Sequence, residues 1–453
     1  MTDNAESRRF RPVLALLGLV LGAILLASCG GGDTPDVTAG AAAGADNADE
    51  AVEIMVNALI AEDFVTLAAI MDPYEQAAMT DYGFALVDEL VRLDVLAEDI
   101  DLASLQGIDI ETEGLEPTVT LVGNGLAHAY FGAGSSTITA TAGELPLGPV
   151  ILETADEGDL DDVETETETY DGNQEMPLVI VQRDGSWYVS LMYTIAEAAR
   201  LEAGMDLPDP ADRLESLGAD SPEAAVEQLI DSILGLDASG VIGMHDPETF
   251  SALYDYAPLF IDDLDMGANE ILGLASLFGA EWELVDLELS SEELGDDLAV
   301  VTIDAARVQV TVAPEGLIDI AFDADSFSAS VTNLDDFTPD LLFEVTVDEN
   351  GCIVGTIDEG FGPETESICP DDDPEFDELR ETFESFQQAG LATTQVDGMW
   401  FVDPIRTGGE AMLSFLEPLD ADDVRELIAA AEAADASGLP LDAEDIVDEL
   451  VNP

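Results

Sequence analysis

One short stretch of this chain carries residue types suited to acid–base work. His128 lies in Gly125-Leu126-Ala127-His128-Ala129-Tyr130-Phe131. Alternation along a strand puts His128 and Tyr130 on one face. An imidazole beside a phenol can move a proton near neutral pH. The plainer reading, and the favoured one, is a partly buried histidine satisfied by a neighbouring carbonyl or carboxylate. The second histidine, His245, stands before Asp246-Pro247 and reads as a turn residue. The sequence holds no Gly-x-Ser-x-Gly, phosphate loop, His-Glu-x-x-His or EF-hand loop. All eleven basic residues are arginine, which excludes lysine-based chemistry. The acid runs Asp156–Asp162 and Asp371–Asp373 read as solvated loops, because calcium needs about six to eight converging oxygens. The expectation is therefore no catalytic residue, no metal and no cofactor.

The chain must position these groups with an unusual composition. It has 453 residues and 100 acids, and its formal net charge is −89. Nucleic-acid binding needs cationic side chains to displace counterions, so it is excluded. Docking on anionic head groups is disfavoured for the same reason. The acid excess has two readings. It gathers cations or a basic partner, or it adapts the surface to high salt, where screening within roughly 3 Å at about 1 M quenches self-repulsion. The acids are spread along the whole chain, which favours salt adaptation.

The first residues give an address. Arg8, Arg9 and Arg11 precede an apolar run from Val13 to Leu26, followed by Leu26-Ala27-Ser28-Cys29. A basic start, a short greasy run and small residues before a cysteine make an export signal. The ending resembles the bacterial lipobox. The resemblance implies cleavage before Cys29 and a diacylglycerol on its sulfur, which anchors the chain to the cell membrane on its extracytoplasmic face. Ser7-Arg8-Arg9-Phe10 leaves the export route, general or twin-arginine, open. Outside the cytoplasm, Cys352 and Cys369 are expected to pair as a disulfide. The loop they close is near the length for which chain-entropy models give about 3 kcal/mol.

Beyond a Gly/Ala/Thr/Asp tether the chain repeats itself. AVEIMVNALIAEDFVTLAAIMDP from Ala51 aligns without a gap on AVEQLIDSILGLDASGVIGMHDP from Ala225, an offset of 174. Between Ala48–Leu90 and Pro222–Leu264 there are 11 identities in 43 positions. Asp184-Gly185-Ser186-Trp187-Tyr188-Val189 then mirrors Asp397-Gly398-Met399-Trp400-Phe401-Val402 at an offset of 213. The second copy therefore carries 39 extra residues, among them the Cys352–Cys369 stretch. Tyr82 pairs with Tyr256 and Trp187 with Trp400. Duplicated aromatics of this kind form core or the wall of a pocket.

Helical spacing of Ala51, Val52, Met55, Val56, Leu59 and Ile60, and of their second-copy counterparts, predicts an opening helix. Ser221 is its N-cap in the second copy, with Pro222 at the first position. A further helix carries Leu86, Val87 and Leu90, matched by Phe260, Ile261 and Leu264. Strands are predicted at Thr118–Val122, Ala127–Phe131, Ser136–Thr141, Leu178–Gln182, Leu298–Asp304, Val308–Val312 and Phe343–Val347. Asp184-Gly185 and Asp397-Gly398 are hairpin turns.

Helices followed by a hairpin-rich sheet make an α+β unit, used twice in tandem, with short C-terminal helices after it. The AVE…D…DP openings and the DGSWYV and DGMWFV endings resemble the NTF2-like (cystatin-like) superfamily. That resemblance implies N-terminal helices packed on a curved antiparallel sheet. It also implies a conical cavity, onto which His128 and Tyr130 would face. The expected organisation is a signal peptide over 1–28, a tether over 29–46, a first NTF2-like domain over 47–203 and a linker over 204–220. A second domain follows over 221–416, then a helical tail over 417–453, packed on the second domain or serving as a partner surface. The expected function is a non-catalytic, membrane-tethered module that binds an unknown small ligand or an envelope protein. The alternatives are an enzyme using an acid/base site in the first cavity, or a purely structural envelope protein.

Overall fold

The computed structural model describes residues 44–155, 160, 163–172, 176–277, 279–295, 297–312, 316–323, 326–333, 338–347, 353–358, 364–368 and 390–437. The export segment, Cys29, the Cys352–Cys369 pair, Asp371–Asp373, most of Asp156–Asp162 and the tail beyond 437 lie outside them. No helix among the described residues is long and apolar enough to cross a membrane. The chain divides into two compact units. One holds residues up to Thr194 together with those from Leu416 onward; the other runs from Ile195 to Phe415. Both are α+β with antiparallel sheets.

The first unit opens with α1 (Ala48–Ile60), capped by Asn47, whose side chain accepts from Glu50 N at 3.0 Å. Next come α2 (Phe64–Ala69), capped by Asp63, and α3 (Pro73–Arg92), capped by Asp72. The strands are β1 (Ile108–Glu113), β2 (Pro117–Gly123), β3 (Leu126–Phe131), β4 (Gly134–Thr141), β5 (Val163–Tyr170), β6 (Leu178–Arg183) and β7 (Ser186–Ser190). A short α4 (Pro149–Thr154) lies between β4 and β5, and α5 (Leu191–Glu202) follows β7.

The order β2-β3-β6-β7 makes one sheet and β1-β4-β5 another. In the first, β3, β6 and β7 are buried on both faces, while β2 is mostly exposed. Ala127, Ala129, Ile180 and Val189 join α1's Ala51, Val52 and Met55 in one apolar core. Val179, Val181, Tyr188 and Ser190, on the other face, are buried as well. A buried strand of this kind reads as a continuous run rather than an alternation. The β1-β4-β5 sheet buries little: β5 reads Val-Glu-Thr-Glu-Thr-Glu-Thr-Tyr and is exposed at every position but its last. Its strands are held by their ladders and by hydroxyl pairs, Thr137 with Thr167 at 3.0 Å and Thr139 with Thr165 at 3.3 Å.

In the second unit α6 (Pro222–Leu234) is capped by Ser221 and α7 (Ala238–Gly243) by Asp237. Where the first unit has one long helix, this one has α8 (Ser251–Tyr256) and α9 (Ile261–Leu277), parted around Pro258, which cannot continue a helical hydrogen-bond ladder. Nine strands make one sheet: β8 (Ala280–Glu293), β9 (Leu298–Val312), β10 (Gly316–Asp323), β11 (Ser326–Asn333), β12 (Thr338–Val347), β13 (Ile353–Asp358), β14 (Glu364–Ile368), β15 (Leu391–Val396) and β16 (Met399–Val402). A helix, α10 (Pro404–Leu416), follows β16. The runs Leu298–Asp304 and Val308–Val312, read as separate strands, are one strand, β9. Two register shifts in its pairing with β8 accommodate the length. The 39 extra residues fall where β10–β14 are added between β9 and β15.

Contacts recur between the units at the offsets seen in the sequence. Ala45 bridges Trp187 as Ala219 bridges Trp400, and Met71 bridges Val189 as His245 bridges Val402. Thr194 Oγ1 accepts from Val179 N and donates to Ser190 O, while Thr407 does the same between Ala392 N and Asp403 O. Gly44 at φ 55° and Gly218 at φ 57° each sit where a Cβ would strike an aromatic ring, Tyr188 or Phe401. Only glycine meets both demands cheaply.

The tail corrects an expectation. After α10 the chain forms α11 (Ala421–Ser437). Leu416, Leu419, Val424 and Ile428 pack on the core of the first unit, not the second. Arg92 explains the choice. Its guanidinium donates to the carbonyls of Leu416 (2.9 Å), Glu417 (3.2 Å) and Leu419 (2.9 Å), and Arg425 reaches Glu153 at 3.1 Å.

Candidate functional site

The strongest concentration of buried polar chemistry lies where α3 begins and β7 passes into α5. Asp72, 1% exposed, caps α3 by accepting from Tyr74 N at 3.2 Å. Its Oδ2 also accepts from Arg183, at 3.0 Å from Nε and 2.6 Å from Nη2. Arg183 lies over the rings of Tyr74 (5.3 Å) and Tyr193 (5.5 Å), so two aromatic faces and one carboxylate hold the cation. Three residues on, Glu75 is 2% exposed. It accepts from Ser190 Oγ, from Leu191 N at 2.8 Å and from Met192 N at 3.2 Å. A carboxylate from α3 thus closes the open N-terminus of α5.

Burial pushes the Glu75 carboxyl up to about 7. The Ser190 hydroxyl opposes that rise and the Asp72 charge adds to it. Such a group changes protonation near neutrality, the property required of a general acid or base. The same carboxyl also accepts from the first backbone N–H groups of α5. Strand pairing runs His128 to Val179 to Ser190, so His128 is two strands from the serine, roughly 10 Å.

The second unit has a matching node with the groups exchanged. Asp246 occupies the place of Asp72; it accepts from Glu248 N (2.8 Å), Thr249 N (3.0 Å) and Thr394 Oγ1 (2.7 Å). The carboxylate on the strand end is now Asp403, which accepts from Ile405 N and Arg406 N and caps α10. Its Oδ2 lies 3.3 Å from Arg406 Nε. Burial raises the Asp403 carboxyl to about 6, against its bond from Arg406 N and with help from the Asp246 charge. Thr249 stands where the first unit has Glu75, and Val396 where it has Arg183.

The structure places the residues singled out in the sequence as follows. His128 is 5% exposed, and its ring meets Tyr130 edge-on at 6.1 Å. Both lie on the face of β3 opposite Ala127 and Ala129, which pack in the core with α1. Tyr82 is buried on α3. Tyr256 is buried and donates to Glu197, a fully buried carboxylate that also takes two bonds from Arg200, at 2.9 and 2.7 Å. Trp187 and Trp400 pack against the cores of their own units. His245 has Nδ1 2.7 Å from Val241 O, and burial lowers its pKa. No group of His, Cys, Asp and Glu among the described residues has the geometry to hold a metal ion.

The sequence reading missed Glu75, Arg183, Ser190, Glu197 and Asp403. The signal for some of them was present: each Asp-Pro pair marks a capped turn, and Ser190 and Asp403 directly follow the Trp-aromatic-Val strand. No family model, no curated protein and no solved structure matches this chain.

Proposed function

We propose that this chain is a membrane-tethered extracytoplasmic lipoprotein, held by lipid on Cys29, that acts as a non-catalytic interaction module. Its two units are copies of one NTF2-like design, and its acid-covered surface suits salt-rich surroundings. The recurring bridges, glycines and threonine bonds support common descent of the units. The titratable groups at matched positions support a scaffold role, since Glu75 and Asp403 are spent on closing helix ends.

One observation carries the interaction reading. Beyond Ile108 and Ile110 of β1, which pack on the core of the first unit, the β1-β4-β5 sheet covers little apolar surface. On one face it presents Asp109, Glu111 and Glu113 beside the hydroxyls of Thr137, Thr139, Thr165 and Thr167. A sheet that buries little apolar area contributes little to folding, so its regular polar face is best understood as a surface for a partner.

The test is to purify the protein from its own membranes at native salt, with a photo-crosslinker at Thr167 or, as control, at Glu227. A single protein captured only from Thr167 supports the reading. Equal capture from both positions would sink it. So would a small molecule recovered at near one or two per chain from an organic extract of uncrosslinked protein, because the chain would then be a carrier.

A further inference from the structure

β5 (Val163–Tyr170) is an outer strand of the β1-β4-β5 sheet. It pairs with β4 along its whole length, 8 residues, without a break in register. Alternate residues of such a strand turn their N–H and C=O groups away from the sheet. Among the described residues no strand or bridge meets that side. Every residue of β5 but Tyr170 is exposed.

An open edge is a template for a further strand, and folded chains blunt theirs with proline, bulges, short strands or a covering segment. The other edges carry such devices. β2 starts at Pro117 and shifts register between Leu121 and Gly123. β8 shifts register twice. β7 is met by bridges from Ala45 and Met71, and β16 by bridges from Ala219 and His245. β1 and β14 are only 6 and 5 residues long. β5 is long, regular and free of proline, and charge is its one guard.

That charge is ordered. Thr165, Thr167 and Thr169 share the face of Thr139, Thr137 and Ser135. Glu164, Glu166 and Glu168 form the opposite rank, at a repeat of about 6.8 Å. None of the ion pairs among the described residues reaches these three glutamates. A second copy would set glutamate against glutamate and one net charge of −89 against another. Like charges directly opposite on neighbouring strands repel, and opposite charges attract. A basic strand at roughly 4.8 Å would face all three carboxylates at once. Hydroxyls on its other face would extend the rungs Thr137–Thr167 (3.0 Å) and Thr139–Thr165 (3.3 Å) by one more strand.

We propose that the open edge of β5 takes an extended basic segment of a partner protein as an added strand. Lys or Arg at alternate residues lies opposite Glu164, Glu166 and Glu168, and Thr or Ser between them lies opposite Thr165, Thr167 and Thr169. The main chain supplies the attachment, and the two ranks of side chains choose the occupant. This rests on the reading of the β1-β4-β5 sheet as a partner surface and names the partner's chemistry.

The test is amide hydrogen exchange of the full-length protein with the peptide TKTKTKT in excess, both ends blocked. The control is TTKKKTT, which has the same residues and charge but no alternation. About 1 M sodium chloride confines non-specific attraction to roughly 3 Å. The expected result is exchange slowed at least fivefold at alternate amides of β5 by TKTKTKT and less than twofold by TTKKKTT. The variant E164Q/E166Q/E168Q changes only exposed side chains and should lose the effect. No slowing in β5, equal slowing by the two peptides, or full slowing in the variant would each overturn the proposal. So would protection of β5 that rises with protein concentration and needs no peptide, which would make a second copy the occupant. Capture of a protein from Thr167 together with an unprotected β5 would overturn this proposal alone and leave the interaction reading standing.

Discussion

Ser190 and Asp403 hold the same place in the two units: each ends the tryptophan-bearing strand and opens the helix that follows. The first is a hydroxyl served by a carboxylate from α3, Glu75; the second is itself the carboxylate, with Thr249, in the turn before α8, at the position that matches Glu75. One capping task is solved twice with the two groups exchanged between elements.

The exchange predicts a rescue. S190D puts a second carboxylate against Glu75 in a buried place, and like charges that close cannot both ionise. It should cost about 3 kcal/mol at pH 8 and much less at pH 5. E75T removes the acceptor for two backbone N–H groups and should cost about 1–3 kcal/mol. The double variant S190D/E75T recreates the second unit's arrangement and should recover more than half of the summed loss. Urea unfolding of all four proteins measures it; simple additivity would show that the two positions do not exchange roles.

The same carboxylate makes stability depend on pH in a defined direction. Burial lifts Glu75 from 4.5 to about 7, so the folded state keeps a proton that the unfolded state has released. Its contribution is fully present below about pH 4.5 and is lost as pH rises through 7. The size is on the order of 3 kcal/mol. Asp403, raised to about 6, acts with the same sign in the second unit. The E75Q variant should lose the first unit's part of this slope. Unfolding midpoints at pH 5 and pH 8, at one salt concentration, check it.

Arg92 should govern the tail. In R92A the carbonyls of Leu416, Glu417 and Leu419 lose their donor, a local cost of about 1–3 kcal/mol. Amide exchange should quicken across 421–428 and stay unchanged across 222–234. Unchanged protection at 421–428 would mean that the apolar contacts of Val424 and Ile428 hold the tail alone.

The charge predicts the response to salt. With 100 acids against eleven arginines, self-repulsion is large in dilute buffer and screened in concentrated salt. The melting temperature should rise by about 10 °C or more between 0.1 and 2 M sodium chloride. A melting temperature independent of salt would remove the argument for adaptation to high salt.

Much of the framework was legible in the sequence. The α+β class followed from the order of helical and strand patterns. The Asp184-Gly185 turn, with φ of 49° and 93°, and its partner Asp397-Gly398 were readable because few residues tolerate that conformation. The cap at Ser221 was legible as well, from a serine standing before Pro222. What escaped were strands without an apolar face: β5, with its glutamate and threonine alternation, offers no burial signal and owes its place to neighbours distant in sequence. The buried nodes escaped for a related reason. Nothing local distinguishes Glu75 from the other ninety-nine acids. Its role exists only because β7 delivers Ser190 to the start of α3. The tail's partner escaped because Arg92 lies more than three hundred residues before Leu416.

That tail means the second unit is written into the middle of the first. The chain begins one structure, completes another, and then returns to supply Leu416, Leu419, Val424 and Ile428 to the one it began. During synthesis from the N-terminus the first unit is exposed earliest and finished last. Until residue 428 has been made, that unit must persist with part of its apolar surface bare, while the second, contiguous from 195 to 415, can close at once. A nascent chain of this design is most vulnerable to proteolysis in its oldest part, and a nonsense mutation near residue 416 would injure the beginning of the protein rather than its end.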